Sequence, residues 1–307
     1  PTTGQRPIRG AYDLQAGVVE VRPLRFTDIL DGSFSLFRAT MGAMVAMVLA
    51  IMVPLQLLSA FLRREALSFG FSGLLDDRAT ADLLLGEAGV SPALVLTGVS
   101  QVLVVPVLGG ALVLVAGRRY LGQQVDLRQV LSQTGRKAGW LVLAYLATWA
   151  LRLLPLILVA AAVATGSAVG LAISVVLTGV VVVAMTPLFV LVTPAIMLEP
   201  RQPVQAFLHA LRLVRGAYWR TLGVMIGTTL VFNLLALLLA GLPNVIGLIG
   251  GFGFAWVLVA LGSILAQLIV APLTAASMVL LHADLRIRQE GLDFDILVQR
   301  MRSRAAA

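Results

Sequence analysis

The sequence predicts an all-α polytopic membrane protein with six transmembrane helices and three interfacial amphipathic elbow helices. Three observations carry that prediction. Apolar residues make up 59% of the chain and charged residues 12%, where a soluble domain has about 45–50% and about 25%. Apolar runs of the length a bilayer requires, about 20 residues, recur six times. Short amphipathic stretches stand before the first, third and fifth of these runs.

Residues 1–22 contain no apolar core run and read as a disordered cytoplasmic arm, without the apolar centre of a signal peptide. The first elbow, residues 26–38, sets Phe26, Ile29, Leu30, Phe34 and Phe37 on one helical face. Thr27 is its candidate cap, Asp28 and Asp31 lie near its start and Arg38 at its end, in accord with the helix dipole. It is too short to span a membrane and suits the interface.

Span one covers residues 41–62 and holds Pro54, and a loop of mixed charge follows at 63–91. Ser91-Pro92 opens span two as a cap followed by proline, and that span ends near Gly117. The second elbow, 126–137, presents Leu127, Val130, Leu131 and Thr134 on one face. Span three, 139–164, contains Arg152 and Pro155, and a tight turn at 165–170 leads into span four, which ends near Leu198. The third elbow, 203–215, has Val204, Phe207, Leu208 and Leu211 as its apolar face and places His209 on its solvent face. Span five, 217–240, begins with Tyr218 and Trp219 at interface depth, and span six runs over 252–281.

Pro106, Pro187 and Pro272 are each followed, twelve residues on, by a charged residue at a span exit: Arg118, Glu199 and Asp284. Leu30 to Pro54 and Leu131 to Pro155 are both 24 residues. These intervals predict a threefold repeat of elbow plus helical hairpin within one membrane domain, residues 23–295. The units are about 23–121, 122–200 and 201–295, and a cytoplasmic tail follows at 296–307. All three units enter from the same side, so the repeats are parallel rather than inverted. In the third, Phe232 and Asn233 stand where the first proline would fall. The plain alternative is that elbows and intramembrane prolines recur in unrelated membrane proteins.

Charge placement orients the chain. Nineteen basic residues lie before span one, between spans two and three, between four and five, and after six, whereas the opposite side has Arg63, Arg64 and Arg78. The positive-inside rule then puts both termini in the cytoplasm. The same distribution accounts for the net charge of +8 without nucleic acid. The expected partners are membrane lipids, including anionic headgroups, and other membrane proteins.

The chemical inventory is thin. There are no cysteines, which excludes disulfides and thiolate chemistry. Only His209 and His282 offer imidazole, and no Ser-His-acid set, HExxH motif or phosphate-binding loop is present. A non-enzymatic protein with no cofactor and no metal is expected. His282-Ala283-Asp284 reads as part of a polar collar. Arg152 stands apart, because an arginine near the bilayer midplane costs roughly 2.5–3.5 kcal/mol and no acidic residue lies at its depth. Gln101, Asn233 and Gln267 complete a candidate substrate- or lipid-binding set with it, and Gln56 and the Leu151 carbonyl freed by Pro155 are further partners. One reading is a hydrated cavity taking an anionic group such as a lipid phosphate. The other is a structural arginine bonded between helices. Two function classes follow: a component organising lipids or protein partners at the cytoplasmic face, and a transporter or lipid translocator built around Arg152.

Two stretches carry a resemblance. PLRFTDILDGSFSLFR at 23–38 and LLHADLRIRQEGLDFDIL at 280–297 resemble the glycerophosphoryl diester phosphodiesterase membrane-domain family, in particular its free-standing actinobacterial six-span members. The resemblance implies a multi-pass protein of the bacterial cytoplasmic membrane. It implies no phosphodiesterase activity, because this chain contains no catalytic domain of that kind.

Overall fold

A computed structural model describes residues 24–62, 92–199, 202–250 and 254–290. The arm at 1–22, the loop at 63–91 with its Ser91 cap, and the tail beyond 290 lie outside the described residues. The described part is 92% helical and contains no strand. In chain order the helices are α1 (Phe26–Leu62), α2 (Pro92–Val99), α3 (Val105–Tyr120), α4 (Leu127–Leu153), α5 (Leu156–Ala164), α6 (Ala168–Val190), α7 (Val192–Leu198), α8 (Pro203–Gly216), α9 (Tyr218–Gly250) and α10 (Ala255–Glu290). A π-helical turn, Ser100–Val104, joins α2 to α3. Six segments are long and apolar enough to cross a membrane: α1, α2–α3, α4–α5, α6–α7, α9 and α10. The protein is a multi-pass, all-α membrane protein.

Local chemistry sets the breaks. Asp126 caps α4 by accepting the Arg128 N–H at 3.0 Å, and Ser167 caps α6 by accepting that of Gly170 at 3.0 Å. Gly122 and Gly166 sit at φ 75° and 66° in the turns before these caps, a conformation that favours glycine. Pro155, which has no N–H to give, divides α4 from α5 inside span three. Buried and half-buried hydroxyls turn back onto their own helix: Ser33 donates to the Ile29 carbonyl, Thr40 to Leu36 and Thr274 to Val270.

Only the third elbow is a separate helix. The first runs unbroken into span one as α1 and the second into span three as α4. No proline or left-handed glycine lies between Arg38 and Met41 or between Lys137 and Gly139, so nothing interrupts the hydrogen-bond ladder there. At Ala217 the backbone leaves the helical region (φ −143°, ψ 40°) and separates α8 from α9. Span five continues to Gly250, past the expected end at 240, and contains Pro243. Pro106, Pro187 and Pro272 all lie in helices and are buried.

The core is concentrated at the charged end of the bundle. There α10 is surrounded from Pro272 to Ile287, with Leu273, Leu280 and Leu285 fully buried. Leu36 and Met44 of α1, Leu112 of α3, Ile196 of α7 and Leu213 of α8 pack into the same cluster. The far halves of α5, α6 and α9 present Ile157, Val176, Leu237 and Leu238 outward, as lipid-facing surface must.

Candidate functional site

Towards the middle of the bundle, a cavity of about 430 Å³ opens between α1, the α2–α3 segment and α10, a size in the range of ligand pockets. Gln56 on α1, Gln101 in the π-helical turn and Gln267 on α10 all line it, with Tyr145 of α4 and Thr193 of α7 beside them. Gln267 lies twelve residues into α10, about 18 Å along the axis, which is mid-bilayer depth. Among the described residues none of the three glutamine side chains hydrogen-bonds to protein, whereas the hydroxyls of Ser100 and Thr274 are taken up by the Leu96 and Val270 carbonyls. An amide unpaired at this depth is costly, and three of them share one space. Among the described residues no charged side chain lines it.

The local backbone explains how Gln101 reaches the cavity. Pro106 removes an amide from the ladder of α3, and one turn earlier the helix widens to the π form over Ser100–Val104. Such widened turns are frequent at functional positions because they re-aim side chains.

The structure divides the predicted set. Gln101 and Gln267 come together, joined by Gln56. Arg152 is not among the cavity-lining residues, and its guanidinium lies 5.8 Å from the centre of the Phe189 ring on α6, within cation–π range. Its Nε is buried and has no hydrogen-bond partner. Asn233 is exposed and donates to the Thr229 carbonyl of its own helix at 2.8 Å. Asn233 borders a second, smaller cavity of about 140 Å³ between α9 and α10.

At the charged end a polar assembly holds the helices together. Asp284, fully buried, accepts the Leu24 N–H at 2.7 Å and Arg288 Nε at 2.9 Å through Oδ1, and Arg220 Nε and Nη2 at 3.0 and 2.7 Å through Oδ2. The two arginines also donate to the Leu24 carbonyl, at 2.5 and 3.1 Å. The other carboxylate of the proline-plus-twelve pattern, Glu199, anchors a second group. His209 is buried rather than on a solvent face: its Nδ1 meets both Glu199 oxygens at 2.8 and 2.9 Å, and its Nε2 meets Glu290. Each nitrogen of the ring thus faces a carboxylate. The expectation failed because α8 packs its polar His209 edge onto Glu199 and α10, and helical periodicity does not show which face a neighbour covers. His282 Nε2 approaches Glu199 to 3.3 Å without hydrogen-bond geometry. Burial alone pushes the Glu199 carboxyl up, and His282 and His209 outweigh it and hold the group below the ordinary glutamate value. His282 and Asp284 thus serve different clusters. Among the described residues no three His, Asp or Glu side chains are arranged to hold a metal ion.

No family model, curated protein or solved structure matches this chain.

Proposed function

We propose that this protein is a non-enzymatic membrane component that binds a neutral, hydroxyl-bearing lipid in the mid-bundle cavity and so organises lipids on the side where its charges gather. One observation carries the reading: three unpartnered amides converge on an uncharged space at membrane depth. Each amide offers a donor and an acceptor, which suits a glycerol or other hydroxyl group. The apolar remainder of the lining, including Leu55, Leu108 and Met278, suits acyl chains. An anionic substrate lacks a counter-charge there, because Arg152 stands against Phe189. Translocation is the second reading, favoured by Pro106 and the π-helical turn, which place a bend in the cavity wall.

The test uses a photoreactive diacylglycerol in phosphatidylcholine vesicles holding the purified chain. Crosslinks are expected on peptides containing Met52, Leu112 and Val270. Gln101→Leu combined with Gln267→Leu should reduce them roughly thirtyfold, at about 1 kcal/mol for each of two hydrogen bonds. Equal labelling of wild type and double variant would overturn the proposal.

A further inference from the structure

We infer a second binding site, for a phosphate group, in a cavity of about 380 Å³ between α1 and the connection from α3 to α4. Ala39, Gly42 and Ala43 of α1 form one wall, and Arg119 with Gln124 forms the other. The inference stands on different residues from the mid-bundle cavity and does not depend on it.

The state of Arg119 is decisive. It is half-buried, its Nε is covered without an acceptor, and among the described residues its side chain makes no hydrogen bond and no ion pair. Among the described residues Arg119 and Arg152 are the arginines with a buried Nε that has no acceptor, while four others at the charged end are engaged. Arg220 and Arg288 share Asp284, Arg286 pairs with Glu290, and Arg118 reaches Gln129. The carbonyl end of α3 would ordinarily attract a cation, yet the carbonyls of Gly117, Arg118 and Arg119 already accept the N–H groups of Leu121, Gln123 and Gly122. Among the described residues no carboxylate lines the cavity. A guanidinium with a full set of free donors, facing a space without anions, is built for an oxyanion that can take two parallel hydrogen bonds.

The depth specifies the ligand further. Arg119 is the penultimate residue of α3, at the charged exit of its span, where lipid phosphates lie. The phosphodiester of an anionic phospholipid and a free phosphate ion share the required chemistry, and the experiment separates them.

The full chain is reconstituted in nanodiscs of equal phosphatidylglycerol and phosphatidylcholine, and retained lipid is counted by native mass spectrometry. Wild type should retain phosphatidylglycerol over phosphatidylcholine by about fivefold, the worth of one interfacial cation. Arg119→Gln should abolish the preference, and Arg119→Lys should keep part of it. Gly42→Leu leaves the arginine intact and fills the cavity. A Cβ at Gly42 meets nothing within 4 Å, so this variant should fold and still lose the preference. Excess inorganic phosphate forms the second arm: if it erases the preference and raises the melting temperature, the site takes phosphate as such. If it does neither while the preference stands, the site requires the lipid diester. Unchanged preference in both variants, or loss in Arg119→Gln with Gly42→Leu unaffected, would overturn the inference.

Discussion

Replacing Asp284 by asparagine should be among the most damaging single changes in the charged half of the bundle. The substitution keeps the shape of the side chain and removes its charge. Four donated hydrogen bonds converge on the native carboxylate, from the Leu24 N–H and from Arg220 and Arg288. An amide offers one oxygen in place of two and turns an N–H towards donors. Breaking a buried pair by removing one partner costs about 3–5 kcal/mol. The Arg220 and Arg288 side chains are 30% and 37% exposed, so water recovers part of their hydration and the low end, about 3 kcal/mol, applies. On the scale of about 2–4 °C per kcal/mol that holds for chains of about 150–250 residues, the melting temperature in detergent should fall by about 6–12 °C. Tryptophan fluorescence on heating reads this directly. Arg220→Gln and Arg288→Gln should each cost less than Asp284→Asn, because the carboxylate keeps its remaining donors. A melting temperature for Asp284→Asn within a degree or so of wild type would refute the reasoning.

Two further outcomes follow from described contacts. Arg152→Leu should leave the melting temperature unchanged or raise it, because the change removes a buried Nε without an acceptor at the expense of one contact with Phe189; a fall of several degrees would show that Arg152 holds the helices. Because the chain has no cysteine, Ser167→Cys in the exposed turn between α5 and α6 and Arg128→Cys at the charged end can be labelled without background. An impermeant maleimide should reach the first in intact cells and the second only after lysis, and the reverse pattern would invert the orientation read from charge.

Hydropathy made the six spans legible, and turn residues located some of their ends, though spans five and six run on past the expected 240 and 281. Ala164 and Leu198 close helices where the sequence suggested, because apolar length and turn residues are local properties. The proline-plus-twelve interval also picked out Glu199 and Asp284, the two buried carboxylates among the described residues. What it could not show was the partner of each. Leu24 and Asp284 are 260 residues apart, and no local pattern announces such a pairing. The same limit misplaced His209. For the cavity, the three glutamines stood out as polar residues in apolar runs, but their grouping with Arg152 rested on depth alone. Lipid-facing and core-facing surfaces are equally apolar, so depth can be read along a span while azimuth cannot.

The clasp between Leu24 and α10 has a consequence for how the protein is made. Its two halves leave the ribosome 260 residues apart, which at about 5–20 residues per second separates them by about 13–52 s. Throughout that interval the start of α1 waits in the membrane with its Leu24 amide and carbonyl lacking Asp284 and the arginines that will hold them. The contact of the first helix with the last is therefore among the last to form, and a nascent chain halted before α10 emerges presents an open seam along α1 to whatever surveys the membrane for unfinished proteins.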